Sequence, residues 1–246
     1  MAKKLKDYYD SKYAELLADK LVVVWPKLDV AGFINYLKKN LKGKEFFYRQ
    51  DTVVSAFEIY LTPDYSKNVA IFKKILGPEL TTTNGMFTHG WWLWPVGRYV
   101  EKHGTKNFEV SMKFIYELTK RFTGEFAIRS LILQKPKKSF QIILKWSKDK
   151  NVHVRRLASE GVRIRLPWAK KSLVALEEFK TYKKILTNLK SDSEKFVQKS
   201  VGNNLNDLMK EDSVKAMEII SEWKKGSPTK ETLWIIKHGV RSTKKI

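Results

Sequence analysis

From residue 108 onward the apolar residues recur at helical spacing, in segments that pair off. This pattern commits the chain to stacked helices, because one amphipathic pair cannot bury its apolar face without a neighbouring pair. The segments 108–121 and 124–133, 137–148 and 151–163, 171–190 and 193–209, and 213–225 and 229–243 read as helix pairs. Each pair spans about 40 residues, the period of HEAT-type repeats. Two of them align at an offset of 43: Asp149-Lys-Asn-Val-His-Val154-Arg-Arg-Leu-Ala158 with Asp192-Ser-Glu-Lys-Phe-Val197-Gln-Lys-Ser-Val201. Aspartate, valine and a small apolar residue stay in register. The alignment predicts a turn carrying a helix-capping polar residue, then a helix with a buried valine stripe.

Strand signals are scarce, and Asn84-Gly85 lies in a threonine-rich loop. The first hundred residues are helical with a less clear repeat. The expected architecture is all-α: a right-handed superhelical array of antiparallel HEAT-like pairs with a basic concave face. It forms one domain over residues 1–246, with N-terminal helices over 1–107 and the clearer pairs over 108–246. The loop from Thr81 to Pro95 leads into an aromatic cluster of Phe87, Trp91, Trp92 and Trp94. Packing between repeats accounts for these rings, with stacking on a base or sugar as the alternative.

Lysine and arginine number 48 against 26 acidic residues, a net charge of +22. An excess of this size repels itself in a folded chain and points to a polyanionic partner. Nucleic acid comes first and an anionic membrane surface second; a basic proteome or a solubility effect gives the same composition. Cysteine is absent, which excludes disulfides, thiolate zinc sites and a cysteine nucleophile. His89, His103, His153 and His238 show no i,i+4 ligand pairing, so no metal or cofactor is expected. The N-terminus has no apolar region after its charges, and no run reaches the roughly 18 apolar residues of a membrane span. The expectation is a soluble cytoplasmic, nucleoid-associated monomer with no membrane partner.

The segment 151–163 carries the most chemistry. Val154, Leu157, Ala158 and Gly161 fall on one side at helical spacing and form the expected buried stripe. Arg155, Arg156, Ser159, Glu160 and Arg163 fall opposite, on the expected exposed face. Arginine forks suit phosphate oxygens, and Arg165, Lys170 and Lys171 extend the basic surface. Glu160 is out of place against a phosphate backbone. Either it pairs locally with Arg156, or it meets a cation. In the helix 193–209, Val197, Val201, Leu205 and Leu208 form the buried side. Asn203 matches Glu160 in register, and Asp207 lies one turn further on. Stacking of neighbouring repeats would bring Glu160 and Asp207 to one groove, unless Asp207 pairs with Lys199 or Lys210. Glu125 opens the helix 124–133, where an acidic residue suits the N-terminus and Arg129 offers an i,i+4 partner.

The string Val154-Arg-Arg-Leu-Ala-Ser-Glu-Gly-Val-Arg-Ile-Arg-Leu-Pro-Trp168 resembles the signature of the AlkC branch of the AlkC/AlkD-type DNA alkylation repair glycosylases. His89-Gly-Trp-Trp-Leu-Trp-Pro-Val-Gly-Arg-Tyr-Val-Glu101, Gly124-Glu-Phe-Ala-Ile-Arg129, Ser200-Val-Gly-Asn-Asn-Leu-Asn-Asp207 and Trp234-Ile-Ile-Lys-His238 agree with that branch. The resemblance covers about residues 85–240. It implies a monofunctional glycosylase acting in base excision repair on double-stranded DNA with cationic N-alkylated bases, 3-methyladenine foremost and 3-methylcytosine as a further substrate, without full base flipping. It places Glu125, Glu160 and Asp207 as catalytic carboxylates and Trp168 as the aromatic partner of the lesion. Arg155, Arg156, Arg163, Arg165, Lys170 and Lys171 are assigned to the DNA backbone by chemistry alone. Some AlkC-type proteins carry a further C-terminal β-domain; here the chain stops at Ile246, so that domain and its help in DNA binding are expected to be absent.

A cationic base is already a good leaving group, so carboxylates near C1′ need only stabilise the oxocarbenium character of the sugar and activate water. The competing expectations are a non-catalytic nucleic-acid-binding scaffold, since helical repeats are used mostly for binding, and a scaffold whose basic face meets acidic proteins.

Overall fold

The computed structural model describes residues 3–84 and 86–242. Gly85 of the threonine-rich loop and position 243, the expected end of the last helix, lie outside them. Every strand-or-helix element among the described residues is a helix, and none of these is long and apolar enough to cross a membrane. Internal contacts divide the chain into two compact units, one ending at Ala127 and the other beginning at Ile128.

In the first unit, α1 (Ser11–Val24), α2 (Val30–Leu41), α3 (Phe46–Tyr60), α4 (Tyr65–Ile75), α5 (Trp94–His103) and α6 (Phe108–Thr119) follow in order. Asp10, Asp29, Asp64 and Asn107 start α1, α2, α4 and α6, each accepting a first-turn N–H on its side chain. The aromatic cluster after the loop is structural. Trp91 packs on Tyr8, Tyr9 and Tyr13, and the buried Trp94 packs on Phe46, Phe122 and Phe126. The Tyr9 and Tyr13 hydroxyls donate to the carbonyls of Trp91 and Trp92 at 2.7 and 3.0 Å, tying this turn to α1.

The second unit holds α7 (Ala127–Gln134) from its second residue, then α8 (Pro136–Trp146), α9 (Val152–Glu160), α10 (Val174–Glu177), α11 (Phe179–Leu189), α12 (Lys195–Glu211), α13 (Ser213–Lys224) and α14 (Lys230–Gly239). α9, α12 and α14 form one layer with α12 in the middle; α8, α11 and α13 back them as the first members of each pair. The offset of 43 has a defined physical content. Asp149 accepts from the N–H of Asn151 at 2.8 Å, and Asp192 accepts from the N–H of Glu194 at 2.9 Å. The two aspartates therefore make equivalent Asx turns rather than helix caps; Asn151 itself caps α9. Val154, Ala158, Val197 and Val201 are fully buried, as the register predicts.

Three expected helices differ, the one over 124–133 in starting at Ala127. The helix expected over 151–163 stops at Glu160, and the one expected over 171–190 is α10 and α11 broken at Glu178, whose backbone is non-helical at φ −97°, ψ 32°. Between Gly161 and Leu173 the chain is a non-helical connection. Val162, Ile164 and Leu166 are buried along it, and so is Arg163 between the first two. The segment is a run of turns.

α12 and α14 touch through glycines. A Cβ on Gly202 would lie 2.7 Å from the His238 ring, and one on Gly239 would lie 2.6 Å from the Leu205 side chain. Gly239→Ala should lower stability by about 1–3 kcal/mol through overpacking, read as a fall in the urea midpoint with no change of slope.

Candidate active site

α9 begins at Asn151, whose side chain accepts from the N–H groups of His153 and Val154. Its apolar residues Val154, Leu157 and Ala158 face the core. Its polar side differs from the expected exposed face. Ser159 is fully buried, and Glu160 and Arg163 are 5% and 8% exposed, because α12 packs across them.

The carboxylates at 160 and 207 meet on one guanidinium. Arg163 Nη1 donates to Glu160 Oε1 at 2.9 Å; its Nε and Nη2 donate to Asp207 Oδ2 and Oδ1 at 3.0 and 3.3 Å. Asp207 is 4% exposed and also accepts from the Arg165 N–H at 3.2 Å. The other oxygen of Glu160 accepts from the Ser200 hydroxyl at 2.5 Å. Ser200 has one proton and spends it there, so it accepts from the Ser159 hydroxyl at 2.7 Å. Asn204 ties the helices together by donating to the Ser159 carbonyl at 2.9 Å. The local partner foreseen for Glu160, Arg156, stands at 3.5 Å, further off than Arg163 at 2.9 Å. Asp207 uses Arg163 in place of Lys199 or Lys210.

Burial pushes the Glu160 carboxyl up. The charges of Arg156 and Arg163 and the hydrogen bonds from Ser200 and Arg163 outweigh it and hold the group below the ordinary carboxylate range. Burial pulls the Arg163 guanidinium down, but Asp207 and Glu160 raise it. The site is a buried, ionised network. The Tyr182 hydroxyl, pushed up by burial and by the charge of Asp207, stays protonated beside it and donates to Asn204.

Glu125 belongs to the first unit. It is buried two residues before α7, and its carboxylate accepts from the Thr123 hydroxyl at 3.0 Å. It lies ahead of the helix, not within its first turn as expected.

Trp168 stands on the connection after α9. Leu166-Pro167-Trp168-Ala169 is a β-turn closed by the Ala169 N–H on the Leu166 carbonyl at 3.1 Å. Proline occupies its second place and Trp168 its third, with φ +65°. A type II turn wants glycine there, because a Cβ strains the left-handed backbone. Trp168 holds that place with its side chain mostly in solvent, at 67% exposure. The connection is pinned around it: Arg129 donates to the carbonyls of Arg163 and Lys170 at 2.8 and 2.7 Å, and the Ser172 N–H reaches the Ile164 carbonyl at 3.0 Å.

The six basic residues assigned to the backbone separate. Arg163 is spent on the carboxylates, and its exposed placement is corrected by α12. Arg155 is half-buried; its Nε donates to Asp192 at 2.6 Å, and it also donates to the carbonyls of Asp149 and Lys150. Arg156 lies over the Phe196 ring. Arg165 and Lys171 are exposed and share Glu211, and Lys170 is exposed. The sequence gives Ser200 and Asn204 no role of their own, and it offers Arg129 to Glu125 rather than to the carbonyls of Arg163 and Lys170. Ser200 carries a signal: in the offset of 43 it aligns with Leu157, a polar residue in a core register.

The class defined by this fold and site is a helical-repeat protein that buries an ionised Glu–Arg–Asp network between successive repeats. Residues 123–240 match the model of a family described as DNA alkylation repair enzyme. Over 98% of its length the chain superposes on Pseudomonas fluorescens alkylpurine DNA glycosylase AlkC bound to DNA containing an abasic site analog, with TM-score 0.84 and 29% identity, covering 65% of that chain. It is also 40% identical over 144 residues to an uncharacterised protein, YhaZ, of Bacillus subtilis (strain 168), a match over 58% of this chain and 40% of that protein. The chain thus spans less than two thirds of either relative. The resemblance read from the sequence and the helical-repeat fold are both borne out.

Two measurements check this geometry. Trp168→Gly removes the strained side chain from a glycine position and gives up little packing, so stability should be unchanged or rise by up to about 1 kcal/mol, read by urea unfolding. Glu160 titrates lower when folded than unfolded. Its contribution to stability is therefore present above the unfolded value of about 4.3 and is lost as pH falls through the lower folded value. Glu160→Gln should flatten the loss of stability below about pH 4.3, read as urea midpoint against pH.

Proposed function

We propose that the chain is a monofunctional DNA glycosylase that hydrolyses the N-glycosidic bond of cationic alkylated bases in double-stranded DNA. 3-methyladenine is the principal substrate and 3-methylcytosine a second, acted on in base excision repair without full base flipping. The observation that carries this reading is that Glu160 and Asp207 are buried on one arginine, with Glu160 held anionic.

A fixed anionic pair suits a positive charge that develops during reaction, since it needs no reorganisation. As the C1′–N bond breaks, its electron pair goes to the alkylated base, which leaves neutral without an acid. The sugar takes the positive charge, and a carboxylate stabilises it. Water attacks C1′, its proton passes to a carboxylate and then to solvent, and an abasic site remains. Glu125 is the third carboxylate, assigned from the resemblance.

Trp168 presents an exposed ring on a turn that its own Cβ strains. The ring is assigned to the cationic lesion, a contact worth about 0.5–2 kcal/mol. Arg165, Lys170 and Lys171 are assigned to the DNA backbone; Arg155 and Arg156 keep that role only along their exposed edges, and Arg163 is reassigned from phosphate to carboxylates. The protein acts as a monomer inside the cell, at the nucleoid, with no membrane partner.

One observation favours the scaffold reading: Arg163 saturates Asp207 as a purely structural ion pair would. Base release separates the two. Wild type and Glu160→Gln are compared on methylated duplex DNA, with DNA binding measured alongside. Wild type should release 3-methyladenine, and the variant should lose about 10²-fold or more while binding persists. A folded, DNA-binding wild type that releases no base would leave the scaffold.

A further inference from the structure

The strings Ser200–Asp207 and Trp234–His238 carry residues that the reaction does not use. They meet where α12 and α14 pack through Gly202 and Gly239. The Lys195 ammonium lies 2.9 Å from the Trp234 ring centroid, and that ring stacks on His238 with centroids 4.9 Å apart and planes at 13°. His238 Nε2 lies 3.1 Å from Asn203 Oδ1, which also accepts from Arg241 Nη2 at 2.9 Å. Arginine can only donate, so this atom is the carboxamide oxygen, and His238 must carry its proton on Nε2. The Asn203 amide NH2 then points away from both and meets no described protein group.

The resulting edge offers donors almost exclusively. Lys195, Lys199 and Arg241 are exposed, and Asn203 is half-buried between them. Glu231, a carboxylate that acts on Lys195, is shared with Lys230 at 3.9 Å. The local field is uncompensated: burial first, then the charges of Arg241, Lys195 and Lys199, hold His238 below its ordinary value. On a helix wheel, Lys199, Asn203 and Lys210 fall within about 40° of one another, and Asp207 follows Asn203 by about 40°. Lys195, Lys199 and Asn203 thus share one helix with the candidate catalytic carboxylate. Lys195 and Asp207 lie about 18 Å apart along it, the rise of several phosphates at about 3.4 Å each.

We infer that Lys195, Lys199, Asn203 and Arg241, with His238 fixing Asn203, form a phosphodiester-binding site that holds the DNA backbone beside the lesion. This rests on the glycosylase reading for its substrate. It adds a second basic surface to Arg165, Lys170 and Lys171, built from different helices. Gly202 is part of the construction, since a side chain there would displace the His238 ring on which Asn203 rests.

The test is the salt dependence of binding to a duplex containing an abasic-site analogue, for wild type and the double variant Lys199→Gln/Arg241→Gln. Both positions are exposed, so the fold is not at risk. Each lost phosphate contact removes about 0.9 from the slope of log K against log salt. The double variant should therefore lose about 2 from the slope, equally on undamaged duplex, while Lys180→Gln on the backing layer of helices leaves it unchanged. An unchanged slope in the double variant overturns the inference, even if wild type releases base. A lowered slope in a protein that releases no base upholds the site and removes the glycosylase reading instead. Competition by inorganic phosphate at constant ionic strength, with no slope change on duplex, would mark a free-phosphate pocket and also overturn it.

Discussion

The second unit turns on the guanidinium of Arg163. Burying two carboxylates between α9 and α12 is unfavourable unless each is paired and hydrogen-bonded. Arg163 supplies a bidentate bond to one carboxylate and a single bond to the other. Ser200 and the Arg165 N–H satisfy oxygens that remain. Arg163 reaches this position only because the chain leaves the helix at Gly161 and turns back along α12. A lysine would offer a point charge in place of a planar fork and could not serve both acids in this geometry. The network is thus a poor source of stability against an apolar core of the same volume, and a good way to hold two negative charges at fixed positions.

Much of this was legible in the sequence, and the failures are instructive. The offset of 43 located Asp149 and Asp192, and the structure gives them the same hydrogen bond, so the repeat was real although its local chemistry is an Asx turn. Arg163 was misplaced for a definite reason. A helical wheel run through 151–163 puts it with Arg155 and Arg156, but the wheel has no meaning beyond Gly161. The signal for the change was present in Gly161 and Pro167, which mark the end of a helix and a turn. The burial of Ser159 and Glu160 was not legible, because it depends on which neighbouring helix covers them. Ser200 opposite Glu160 is a pairing across 40 residues that one sequence read alone does not supply.

Trp168 shows the other way a site departs from local rules. Its turn has proline where proline is favoured and a bulky aromatic where glycine is favoured. Burial does not compensate for the misfit, since the ring is largely in solvent. The surrounding hydrogen bonds from Arg129 and Ser172 hold the turn in place. A conformation over-determined by its surroundings and disfavoured by its own residue is the pattern expected where a side chain is displayed for contact.

The glycine contacts between α12 and α14 bear on how the molecule comes apart. In a helical-repeat array each repeat is held by its nearest neighbours, and repeats can open separately. Here α14 lies against α12 with no room for a Cβ at Gly202 or Gly239, and α12 itself holds Asp207 and Ser200. Opening the C-terminal pair would remove one wall of the helix that carries half the ion network. The α13–α14 pair and the charged site should therefore exchange their amide hydrogens as one cooperative unit, and a nick in the loop before α14 would be felt at Asp207.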